Sequence, residues 1–450
     1  MRLSYYRLAG CLALASVMVL AAARGDTATS KPSPTDHSAG AEFIKAARAE
    51  AESIADAKPK QAAAVWIVRA QAQAGDVAGA KATMAQIDDA AKAEVWVDLA
   101  AAQVRAGDAA GAKASADGIG DAELRLHVYG AIAEAQARAG DVAGAQATTE
   151  QIDGAYYRSG AYFAIATAQA KAGQVVAAKA TADLVFDPAL NASACGLVAE
   201  AQARAGDAGR AKSTAERIPY VTDRIRALCL VALAKAKSGD AAAVKADLQK
   251  VKTMAGQVHE VAFRAEALGT VAAAQAQAGD VMEAKATADM IGTARVVPGA
   301  HAAPPAKVGG RAAAKAAVEH DEDATRQAEA YRAIAEAQAR ASELGNAKAT
   351  AAQIKDPFSQ AQAYVALAAA AGKKGSAALA KESFEQAAAA AAQIEDAADK
   401  ARAYSIIAAA QAQGGDVPGA VARVGKAFAD PGNRAEVLAR AAMEFYAPGK

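Results

Sequence analysis

Aromatic side chains supply only 5% of the 450 residues, too few for the mixed core of a compact globular domain of this length. Cysteine is scarce, three in all, so no disulfide framework organises the chain. Five histidines (His37, His127, His259, His301 and His320) stand at unrelated positions with no HExxH pair, so no metal-ligand spacing is present. The chain also lacks a nucleophile elbow, a Walker loop and a dinucleotide-binding glycine motif. Strand-like runs of β-branched and aromatic residues are missing as well, which excludes an extensive sheet. These absences predict an all-α, non-enzymatic chain with no catalytic residue, metal or cofactor.

What is present is alanine, arranged in a repeat. The stretch Ala131–Ile152, AIAEAQARAGDVAGAQATTEQI, reads as a helix, a corner and a second helix. Ala131–Ala139 holds good helix formers and no proline. Gly140 is able to take positive φ and close that helix, and the Asp141 carboxylate can accept the first free N–H groups of the next. The corner glycine returns at Gly75, Gly107, Gly140, Gly173, Gly206, Gly239 and Gly279, spaced 32, 33, 33, 33, 33 and 40 residues apart. Later corners fall at Ser342, Gly375 and Gly415, with a damaged one at Gly309, which makes eleven units. Helices this short need neighbours to bury their apolar faces, so hairpins in series predict an α-solenoid.

Fixed offsets carry fixed chemistry. Eleven residues before the corner stand Trp96, Tyr129, Tyr162, Tyr331, Tyr364 and Tyr404; eight before stand aliphatics such as Ile132, Ile165 and Val198. Seven before is usually Ala, and five after is Ala again, as in Ala80, Ala112 and Ala145. At 100° per residue these share one face of the first helix, a packing stripe. The arrangement resembles the tetratricopeptide (TPR) repeat over roughly residues 60–425. It departs from that family where Gln (Gln71, Gln103, Gln136, Gln169, Gln202) replaces the favoured Tyr, where Ala replaces the second-helix aromatic, and in lacking the closing Pro. The resemblance implies a superhelix with a partner-binding inner groove. Pentatricopeptide repeats, which bind RNA, share the small-corner pattern and form the alternative; an enzyme of helical-toroid type is a third.

Residues 1–23 combine Arg2 and Arg7 with the apolar run Leu8–Ala23, the pattern of a secretory signal peptide cleaved after Ala23. A periplasmic or secreted location follows, with membrane anchorage through an uncleaved segment as the alternative. Removal of the leader leaves 48 basic and 49 acidic residues, a balance that argues against a nucleic-acid grip. Residues 24–40 read as a tether and 41–292 as an amino-terminal array opened by a polar capping helix. Pro298, Pro304 and Pro305 make 293–308 a loop or hinge, and 309–447 form a carboxy-terminal array with its own capping helix. Seven extra residues after Gly239 and after Gly375 predict longer second helices there, since seven residues add two turns.

The candidate contacts form a row two residues before the corner: Arg105, Arg138, Lys171, Arg204, Lys237, Arg340 and Lys373. It lies opposite the packing stripe, on the face that would line the groove. Glu134, Glu200 and Glu336 precede Arg138, Arg204 and Arg340 by four residues, the spacing of surface ion pairs. Arg105, Lys171, Lys237 and Lys373 lack that partner and, with Phe163, are the residues expected to contact an acidic protein or peptide. A second row, including Lys81, Lys179, Lys212 and Lys348, reads as outward solubility charge. Cys195 and Cys229 lie on adjacent first helices, where axes about 8–10 Å apart favour two reduced thiols over a bridge.

Overall fold

The computed structural model describes residues 34–236, 240–293 and 310–446, and among these every regular element is an α-helix. Two sets alternate along the chain. The inner set is α2 (Ala57–Ala74), α4 (Asp89–Arg105), α6 (Ala122–Arg138), α8 (Ala155–Lys171), α10 (Pro188–Arg204), α12 (Val221–Ala236), α14 (Val261–Gln277), α16 (Gly310–Arg340), α18 (Pro357–Lys373), α20 (Ala397–Gln413) and α22 (Pro431–Tyr446). The outer set is α1 (Pro34–Glu52), α3 (Val77–Met84), α5 (Ala109–Asp117), α7 (Val142–Thr149), α9 (Val175–Ala182), α11 (Ala208–Glu216), α13 (Ala241–Gly256), α15 (Val281–Thr293), α17 (Leu344–Ala352), α19 (Ala377–Ala392) and α21 (Val417–Ala427). None of these helices is long and apolar enough to cross a membrane.

The corners form as their chemistry dictates. Gly140 sits at φ +86°, Asp141 N–H returns to the Gln136 carbonyl at 2.9 Å, and the Asp141 carboxylate accepts the Gly144 N–H at 2.9 Å. Ser342 takes the same left-handed conformation, φ 69°, without being glycine. At the far end of most outer helices a side chain fifteen residues before the next corner reaches back. Arg125 donates to the Ile119 carbonyl at 2.9 Å, and Arg224 to the Ile218 carbonyl at 2.9 Å. These bonds satisfy linker carbonyls just past the ends of the outer helices. The long second helices appear at α13 and α19, each of 16 residues where most outer helices have eight or nine.

Inside each hairpin the glutamine four residues before the corner explains its departure from the TPR pattern. Gln136 donates to Asp141 at 3.4 Å and accepts from Thr148 at 2.7 Å, so one amide braces the corner and the second helix. Gln71 with Asp76 and Thr83 repeats the arrangement. In α12 and α13 the same two positions hold Lys235 and Asp247, joined at 2.7 Å. In α20 and α21 they hold Gln411 and Arg423, joined at 2.9 Å. The brace survives a change of chemistry.

Each inner helix packs against the inner helices before and after it, whereas successive outer helices share no comparable interface. On a curved stack, elements touching both neighbours occupy the shorter, concave circumference, so the inner set forms the wall. The series has no ends: α22 packs against α2, and α1 packs alongside α22 as its outer partner. Eleven hairpins therefore close into a ring, with the last one assembled from both termini. Phe43 and Ala47 of α1 and Val437, Leu438 and Ala441 of α22 all lie in one buried cluster.

Closure corrects several expectations. The two terminal helices are not polar caps on an open superhelix, because their apolar faces bury each other and leave nothing to cap. Of the tether expected over 24–40, the part from Pro34 onward is already helix α1, which opens on a residue suited to a first helical turn. The damaged corner expected at Gly309 lies outside the described residues, and from Gly310 α16 runs unbroken over 31 residues as the next inner helix. The Pro-rich stretch lies outside the described residues beyond Thr293, as does residue 1–33. Across that stretch α14 packs directly on α16, and one buried cluster spans Ile225 to Ala337, so the two arms share a continuous core.

Candidate partner-binding surface

The inner wall presents the helix face left over once both inner neighbours and the outer helices are packed. That face carries the residues thirteen, nine, six and two before each corner. Eleven helices about 9–10 Å apart close a circle whose opposite axes lie roughly 33 Å apart; subtracting a helix diameter of about 10 Å leaves an opening of roughly 20 Å.

The basic row occupies one rim of this opening, at the carboxy-terminal ends of the inner helices. Arg105, Arg138, Lys171, Arg204, Arg340 and Lys373 are all exposed there. Lys237 lies outside the described residues. Cations suit this rim because the negative ends of the helix dipoles converge on it. The row is not uniform. Arg138 pairs with Glu134 at 2.7 Å, Arg204 pairs with Glu200, and Arg340 reaches Glu336 at 3.9 Å. Arg105, grouped by sequence with the unpaired cations, donates to the Ala72 carbonyl at 3.0 Å and so ties α4 to the end of α2. Although the side chain is exposed, desolvation by the protein around its guanidinium lowers its pKa, with Asp98 opposing and Arg138 reinforcing that change. Lys171 and Lys373 make no ion pair or hydrogen bond with described residues through their ammonium groups and stand in solvent. Phe163 is half-buried and packs against the core cluster around Val198, so it contributes less surface than its place in the sequence suggests.

Deeper in the wall the charges are stitched between neighbouring helices. Arg69 meets Asp98 at 3.2 Å, and Arg226 bridges Asp223 at 2.7 Å and Glu266 at 3.1 Å. At the seam the Trp66 ring lies between Arg440, 3.9 Å from its centroid, and Arg69, 4.9 Å away. Glu329 reaches the water of the opening yet is hemmed in by protein, and that desolvation raises its carboxyl above the usual range, Arg332 and Arg326 working against it. Sequence reasoning missed this stitching. Its partners belong to different units, and only the lateral packing of inner helices brings them together.

Both described thiols, Cys195 and Cys229, are free. Among the described residues no group of three or more His, Cys, Asp or Glu side chains is placed to hold a metal ion.

No family model and no curated protein matches this chain. Among solved structures, the crystal structure of Ton1535 from Thermococcus onnurineus NA1 is similar at 14% identity and a TM-score of 0.20, over 70% of this chain and 99% of that one. A likeness of that size carries no argument about function.

Proposed function

We propose that this chain is an exported scaffold that holds an acidic protein or peptide segment against the inner wall of its ring. The observation supporting this reading is the cationic rim, in which Lys171 and Lys373 keep their charges unpaired while neighbouring cations are neutralised. A wall ordered by lateral packing loses little entropy on binding, so many weak contacts add up to useful affinity. The basic leader and apolar run at residues 2–23 support export.

The test uses a fluorescein-labelled oligoglutamate peptide and an oligolysine control at low and moderate salt. The protein should bind the acidic peptide, less tightly as salt rises, and ignore the basic one. Exchanging Lys171, Lys237 and Lys373 together for Glu should abolish the interaction. Binding unchanged by the triple exchange would remove the cationic rim from the account. The closed ring also lends shape to the helical-toroid enzyme reading, since it encloses a centre.

A further inference from the structure

We propose that a cleft on the outer surface over Trp96 is a binding site for a small aromatic carboxylate, framed by an indole, a missing carboxylate and two lysines. The cleft has a volume of about 280 Å³, just under the usual range for ligand sites and enough for one aromatic ring. Trp96, Met84 and Leu99 form its apolar surface, and Lys81, Lys92 and Ser115 supply the polar groups. It lies between α3, α4 and α5, on the opposite side of the hairpins from the inner wall, and stands independently of the function proposed above.

Comparison with sister units shows what is unusual. Where the aromatic eleven before the corner is Tyr129 or Tyr331, its hydroxyl donates to an Asp ten past the previous corner, Asp117 at 2.7 Å or Asp289. Here those two positions hold Trp96 and Ala85, so a methyl group replaces the carboxylate and Ala85 becomes part of the cleft lining. The long side chain fifteen before the corner caps the preceding outer helix in units such as those of Arg125, Arg224 and Arg434. Lys92 instead turns to Asp89 at 2.9 Å. The hydroxyl eight past the corner donates to the buried glutamine from Thr83, Thr148 and Thr287. Ser115 makes no such bond, and the Gln103 amide, fully buried, is left without a hydrogen-bond partner at Nε2 and at Oε1.

The three altered features share one location: Lys92, Trp96 with Ala85, and Ser115 all line the cleft. Together they remove one carboxylate and expose an indole face beside Lys81 and beside Lys92, whose ammonium is held by Asp89 at the edge of the cleft. A flat apolar ring fits against Trp96, and a carboxylate on it answers Lys81 and Lys92. Amine ligands meet like charge at the same place.

The sequence holds two tryptophans, so Trp66→Phe leaves Trp96 as the single indole reporter in the full chain. Its fluorescence is titrated with benzoate, 3-phenylpropionate and 2-naphthoate, and with 3-phenylpropanol as the neutral counterpart of the second. Calorimetric titration of the unaltered protein provides a second readout. The expected result is saturable binding of at least one acid, with 3-phenylpropionate at least about tenfold tighter than its alcohol, or about 1.4 kcal/mol. Ala85→Asp introduces the residue found in the units of Tyr129 and Tyr331 and puts a carboxylate in the mouth; it should abolish binding while the melting temperature holds. Lys81→Met with Lys92→Met should erase the preference for acid over alcohol. Absence of saturation by all three acids up to roughly 10 mM in both readouts, or binding indifferent to Ala85→Asp, overturns the assignment.

Discussion

At the residue scale, the polar brace inside each hairpin offers the sharpest test. Lys235 and Asp247 occupy the positions that Gln136 and Thr148 fill elsewhere, and both pairs join the same two helix surfaces. Asp247→Ala removes the carboxylate that meets the half-buried Lys235 ammonium and should cost about 1–2 kcal/mol in urea unfolding. Lys235→Gln combined with Asp247→Thr rebuilds the neutral brace and should recover most of that loss. If the double variant is as unstable as the single, the two chemistries are not interchangeable. The thiols make a second residue-level case. Burial pushes the Cys229 thiol up to about 12, and it lies wholly within the core, whereas Cys195 is only half-buried. A thiol-alkylating reagent at pH 8 should therefore label Cys195 in the native protein and reach Cys229 only in denaturant. Equal labelling under native conditions would show that α12 opens locally.

At the scale of elements, the last hairpin matters most because its two helices come from opposite ends of the chain. Phe43 of α1 is fully buried in the cluster that includes Val437 and Leu438 of α22. In an open stack a terminal helix frays, and truncating its side chain barely affects the remainder. In a closed ring Phe43→Ala should destabilise the whole protein by about 3–5 kcal/mol, the usual cost of emptying a buried phenylalanine site. Calorimetry distinguishes the cases: a lowered main transition supports closure, whereas an unchanged main transition with early loss of one helix contradicts it. The corner at Ser342 belongs to this scale as well. Its φ of 69° is strained for a residue with a Cβ, so Ser342→Gly should raise stability by about 0.5–1 kcal/mol.

For the whole molecule, closure removes the soft ends that make linear repeat arrays unfold piecemeal. Linear arrays behave as sums of units and nearest-neighbour interfaces. A ring gives every unit two neighbours, including the hairpin built from both termini. Hydrogen exchange should therefore show α1 and α22 protected to nearly the same degree as α10 and α12, in one cooperative transition. Exchange rates graded from the termini inward would indicate an opened stack. Closure also limits what enters: a partner reaches the inner wall by an exposed end or a loop narrower than the roughly 20 Å opening inferred from helix spacing.

The sequence alone determined the hairpin, its glycine and aspartate corner, the packing stripe, the longer α13 and α19, and the face on which the cations lie. All of these follow from contacts a few residues apart, where helical periodicity and capping chemistry act. Tertiary structure alone decided that Arg105 is held by the Ala72 carbonyl, that Gly310–Arg340 is one helix, and that the array closes. Eleven units complete a circle only if each turns by about 33°, and that angle is set by lateral packing between helices about thirty residues apart, which no local pattern encodes.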